Sequence, residues 1–143
     1  MNQKDRMLAG LPYKASLDGL EEERTKNKKK IYEYNHFLPD EYEKIDKLIR
    51  NILGKAGVDI HIEAPFHCDY GKNIEIGNCF FANYNCTILD SGKVIIGNNV
   101  QFAPNVSLYT AGHPIHPDSR NSGYEYGIGI TIGNNRSEEH TSE

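Results

Sequence analysis

The tripeptide Ile-Gly-Asn occurs at residues 76–78, 96–98 and 132–134, and this recurrence constrains the fold more than any other feature of the chain. Between the markers, apolar or small residues return at six-residue steps: Ile76, Ala82 and Ile88, then Ile96, Phe102 and Leu108. A six-residue period suits a short strand followed by a turn, with one residue per strand pointing to a common axis. Three such steps close about one triangular coil of a parallel β-helix. Stacking then lines the inward residues into apolar ladders and pairs every strand with the coils above and below. Gly and Asn fall at corners, where positive φ is resisted by other side chains. A sheet of ordinary short strands would alternate apolar and polar residues, and that alternation is poor here.

The rhythm breaks once. Ile76 and Ile96 are twenty residues apart, whereas Ile96 and Ile132 are thirty-six apart. Either two coils fill the longer interval or one coil carries an excursion. Residues 112–127 are rich in turn formers and lack apolar residues at hexapeptide positions, which predicts a loop that leaves the coil after His113. A long loop in a compact repeat is usually functional.

Ahead of the repeat the pattern is helical. Asp18-Gly-Leu-Glu21 has the spacing of an N-terminal cap and predicts a charged helix to about His36, with Lys26 to Lys30 as a solvated face. Ile45, Leu48, Ile49, Ile52 and Leu53 form an apolar stripe, so a second helix is expected from near Pro39–Asp40 to before Gly54, in need of a partner surface. The expected division is a helical segment over 1–57 and a β-helix over 58–135 with its excursion at 113–129. The polar residues 136–143 are expected to be a non-native tail that supplies no ladder residue.

A net charge of -4 and a pI near 5.9 give no global basic field, which argues against a nucleic-acid partner. The opening MNQKDRMLAG has no apolar signal region, and no run approaches a membrane span, so a cytoplasmic protein without a membrane partner is expected. Cys68, Cys79 and Cys86 are odd in number and lack CxxC spacing, the pattern of small packed thiols rather than of a disulfide or zinc framework.

His113 lies between Gly112, which permits close backbone approach, and Pro114, which restricts it to extended conformations. A histidine so held can accept a hydroxyl proton during acyl transfer and release it afterwards. A turn histidine with satisfied hydrogen bonds fits the same pattern.

The sequence resembles the maltose and galactoside O-acetyltransferases of the left-handed β-helix group. The resemblance rests on Tyr34-Asn35-His36, Cys68-Asp69-Tyr70-Gly71, Asn73-Ile74, Phe81-Ala82-Asn83, Leu89-Asp90, Ile96-Gly97-Asn98-Asn99, Ala103-Pro104 and Thr110-Ala111-Gly112-His113-Pro114, and it runs from about Met7 to Asn135. It implies a homotrimer with active sites at subunit interfaces, acetyl-CoA as co-substrate, a small sugar as acceptor and no metal. His113 matches the family's general base and Asn83 an acceptor-contacting position. Asp69 and Ser91 match polar positions of the acceptor pocket, and Glu125 a loop carboxylate near the base. Departures fall at Ala15, where family members often carry acid, at Ser91 after a single Asp90, at Gly129 in place of Pro, and after Asn135, where relatives continue with further coils. These bear on sugar choice and on the CoA surface. Two other readings stand beside this one: an inactive, uncapped solenoid fragment, and a γ-carbonic-anhydrase-like zinc hydratase drawing on His36, His61, His67, His113, His116 and His140.

Overall fold

A computed structural model describes residues 1–138 of the 143-residue chain. A short helix α1 (Gln3–Leu8) and a two-residue strand β1 (Tyr13–Lys14) precede the helices α2 (Leu20–Asn35) and α3 (Tyr42–Ile52). Strands β2 to β10 then wind in rotation around three faces. The first face carries β2 (Lys55–Ala56), β5 (Ile74–Ile76), β8 (Val94–Ile96) and β13 (Ile130–Ile132); the second carries β3 (Ile60–Ile62), β6 (Phe80–Ala82), β9 (Gln101–Phe102) and β14 (Ser137–Glu138). The third carries β4 (Phe66–Cys68), β7 (Cys86–Leu89) and β10 (Ser107–Tyr109). Between β10 and β13 the chain forms β11 (Ala111–Gly112), α4 (Pro117–Asn121) and β12 (Tyr124–Gly127).

All pairing within the three faces is parallel, and its register confirms the repeat. Ala82 lies opposite Ile62 and Phe102, Ile88 opposite Cys68 and Leu108, and Ile96 opposite Ile76 and Ile132. The Ile96–Ile132 pairing decides the thirty-six-residue interval in favour of one coil with an excursion. Inside, the ladders merge into one apolar core, with Phe80 and Phe102 packed edge to face at 5.1 Å between ring centres. Burying an Ile or Phe side chain contributes about 1.5–3 kcal/mol, so these ladders dominate the cohesion of the coil. One corner repeats positive φ at Asp59, Cys79, Asn99 and Asn135. Beside it, the Asn78, Asn98 and Asn134 side chains accept the backbone N–H groups of Val58, Asn78 and Asn98, a vertical series that ties each corner to the next.

The α3 stripe finds its partner in the coil: Ile49, Ile52 and Leu53 are buried in the common core, with Ile45 and Leu48 packed against it. Helix α2 docks differently. Asn35 makes two 2.9 Å bonds to the Phe66 backbone, Tyr34 donates to Ile62 O, and buried Asn27 donates to Asp69 O at 3.0 Å. The expected Asp18 cap is not formed, because Gly19 occupies the cap position at φ 81° and the Asp18 carboxylate instead accepts the Gln3 N–H. The ladder also does not stop at Asn135. Ser137 and Glu138 pair with Gln101 and Phe102, since strand pairing is made by the backbone and needs no apolar side chain. The rest of the expected tail, 139–143, lies outside the described residues.

Candidate active site

The excursion is built as a small sheet against one corner of the coil. Strand β12 pairs antiparallel with β11 on one side and with β1 on the other, placing Tyr13 opposite Glu125 and Gly112 opposite Tyr126. Gly127 makes this return possible: a Cβ there would lie 2.8 Å from the Gly92 backbone nitrogen. The loop expected after His113 is therefore largely ordered into strands and a short helix.

His113 follows β11, with 52% of its side chain exposed, and its Nδ1 lies 3.9 Å from Glu125 Oε1. That is ion-pair range, beyond a hydrogen bond. The other carboxylate oxygen, Oε2, accepts the Tyr13 hydroxyl at 3.3 Å. Tyr13 is fully buried beside Ser91, itself 4% exposed. Burial, aided by the Glu125 charge and opposed by Ser91, pushes the Tyr13 phenol up to about 12, so it stays protonated and available as a donor.

Beneath this group lies the corner after the third face. Asp69 is half-buried, and burial raises its carboxyl above the usual range, with Arg24 pulling down and Glu125 pushing up. Arg24 bridges Ala15 O at 2.8 Å and the Tyr70 hydroxyl at 2.7 Å. Asp90 is completely buried and accepts backbone N–H groups from Asp69, Tyr70 and Asn73. Burial nevertheless pushes its carboxyl up to about 7, against the pull of those donors. Thr110 closes the corner, accepting from Gly92 N and donating to Leu89 O.

Of the residues singled out from sequence, the fold thus gathers His113, Glu125, Ser91 and Asp69 around one corner. Asn83 stands apart, at the corner after the second face, where its side-chain oxygen accepts the Tyr84 N–H at 2.8 Å. Among the other histidines, His36 stacks on Tyr32 and bonds its carbonyl, while exposed His61 pairs with Asp59; His140 lies outside the described residues. Among the described residues no three His, Cys, Asp or Glu side chains gather as a metal ligand set. Cys68 and Cys86 are buried free thiols, and Cys79 is exposed.

Comparison with known proteins bears on the same architecture. Residues 6–57 match the maltose acetyltransferase hexapeptide capping motif. The Escherichia coli galactoside O-acetyltransferase is 43% identical over 135 residues, covering 94% of this chain and 66% of the relative. A maltose O-acetyltransferase structure from Clostridium difficile superimposes with a TM-score of 0.89 at 43% identity, covering 98% of this chain and 79% of that one. A galactoside acetyltransferase in complex with coenzyme A gives 0.92 at 42% identity, covering 96% and 68%. The chain belongs to this family of hexapeptide-repeat acetyltransferases. Its coil is the left-handed β-helix of that family, and it spans about two thirds of the length of the galactoside O-acetyltransferase.

The candidate site contains residues that sequence reasoning passed over. Tyr13 and Arg24 were hidden in segments that read only as an N-terminal lead and a charged helix; the aromatic after Pro12 was the available signal for the first. Tyr70 and Asp90 stood in motifs shared with the family but carried no assigned part. Asp90 is the hydrogen-bonding centre of the corner.

Proposed function

We propose that the protein transfers the acetyl group of acetyl-CoA to a hydroxyl of a sugar of maltose, glucose or galactoside type, with His113 as general base. The observation that carries this reading is the facing of His113 and Glu125 on a sheet held against the coil corner. It is supported by relatives named as sugar acetyltransferases, one of them in complex with coenzyme A. In this reaction His113 takes the hydroxyl proton while the oxygen attacks the thioester carbonyl carbon, and a backbone N–H stabilises the oxyanion. The C–S bond then breaks, and the imidazolium returns its proton to the leaving thiolate, giving the sugar ester and CoA. Glu125 beside Nδ1 orients the ring through which the proton passes.

Asp69 offers its carboxylate to the acceptor, and Asn83 an amide with both donor and acceptor groups. Because Asn83 sits on another corner from His113, a second subunit would bring it to the site, as a homotrimer with interfacial sites requires. Substitution of His113 by Ala should lower turnover roughly a hundredfold or more with CoA affinity nearly unchanged. Thiol release from acetyl-CoA across maltose, glucose and galactosides measures this and ranks the acceptors. Near-normal turnover in the variant would remove His113 from the mechanism.

A further inference from the structure

Four side chains drawn from distant parts of the sequence form a continuous series: Ser91 at the coil corner, Tyr13 on β1, Glu125 on β12 and His113 after β11. The direction of the series follows from donor and acceptor chemistry. The Glu125 carboxylate only accepts, so the single proton of the Tyr13 hydroxyl goes to Oε2, leaving the Tyr13 oxygen only an acceptor's role toward neighbouring Ser91. With Oε2 anchored, the remaining oxygen, Oε1, is the one directed to His113 Nδ1. A carboxylate held there keeps the proton on Nδ1 and leaves the lone pair on Nε2, the tautomer a general base needs. Tyr13 is fully buried and its ring is fixed among Met7, Leu20 and Tyr70, so its hydroxyl is a rigid anchor in a sheet whose other members end in a half-exposed loop.

We infer that Tyr13, supported by Ser91, is a positioning residue of the active site: it fixes Glu125 and through it the tautomer of His113. This rests on the proposed role of His113, and it makes the N-terminal strand part of the working site. Ser91 then acts through Tyr13 and not by touching the acceptor, in keeping with its 4% exposure.

The test uses ring 15N chemical shifts of His113, which report the tautomer directly and need no turnover. Tyr13→Phe retains the buried ring and removes only the hydroxyl. The parent should show mainly the Nδ1–H tautomer. Tyr13→Phe should cut its ratio to the Nε2–H form about threefold or more, Glu125→Ala should do the same, and the double variant should add nothing. Ser91→Ala, a smaller change at the same anchor, should move the ratio in the same direction and serves if Tyr13→Phe does not fold. A parental ratio in folded Tyr13→Phe or, in its place, in Ser91→Ala would overturn the inference, as would additive effects in the double variant. In acetyl transfer, Tyr13→Phe should lower kcat with KM for acetyl-CoA unchanged; an unchanged kcat would also overturn it. Failure of the parent chain to transfer acetyl would count against the proposed function, and the tautomer ratio would still decide this inference.

Discussion

The coil and the small sheet that carries His113 are held together in opposite ways. In the coil, apolar ladders such as Ile62–Ala82–Phe102 repeat the same contact at each turn, and every strand except those at the ends is paired on both sides. In the sheet β1–β12–β11, the cohesion comes from backbone pairing, one small apolar cluster around Tyr13, and polar contacts among Tyr13, Glu125 and Ser91. A region stabilised by many equivalent apolar contacts is robust but chemically inert. One stabilised by few directional contacts can hold a polar side chain in a set place, and depends on each of them.

That contrast can be broken most severely from the coil side. Phe102 is 1% exposed and packs on Phe80, so Phe102→Ala should cost about 3–5 kcal/mol in urea unfolding. The His113 tautomer of the folded fraction should be unchanged, whereas Tyr13→Phe should alter the tautomer with a much smaller loss of stability. A loss below about 1 kcal/mol for Phe102→Ala would mean that the coil closes over the gap.

The corner between the two regions should respond to pH. Burial raises Asp90 from 3.8 to about 7, so the fold favours its neutral form; that contribution is full below about pH 4 and is lost as pH rises through 7. Unfolding free energy should therefore fall across this window by about 4 kcal/mol, and Asp90→Asn should flatten the fall. A stability that instead rises with pH through the window, and loses that rise in Asp90→Asn, would show that the three N–H donors outweigh burial.

The smallest effect belongs to the coil corners. Cys79 is exposed and holds φ 58°, where the equivalent positions carry Asp59, Asn99 and Asn135. Asn tolerates that conformation better, so Cys79→Asn should add roughly 0.5 kcal/mol without touching the site. A loss of stability would show that the thiol makes a packing contribution at that corner.

How much was legible in the sequence follows the same division. The Ile-Gly-Asn markers and the six-residue steps led directly to the three faces, because each ladder contact joins residues one coil apart and the pattern repeats locally. The α3 stripe was legible for a similar reason. Helix α2 was found, but not its docking, since Asn27, Tyr34 and Asn35 attach through polar bonds to coil backbone and leave no apolar period. The Asp18 cap was misread because α1 claims that carboxylate for Gln3 N–H. At the site, His113 could be singled out from its Gly and Pro neighbours, and the resemblance to sugar acetyltransferases brought in Glu125, Asp69 and Ser91. Tyr13 could not be found, because it meets Glu125 across 112 residues.

The sequence by itself determined the coil, its twenty-residue register and the point where the chain leaves it, since these depend on side-chain size and backbone freedom at repeating positions. Only the tertiary structure decided that β1 returns to pair with β12, that Gly127 seats on Gly92, and that Tyr13 meets the Glu125 that faces His113. The physical reason is that a ladder contact recurs at a fixed interval along the chain, whereas each hydrogen bond of the site is made once, between segments that nothing but the completed fold brings together.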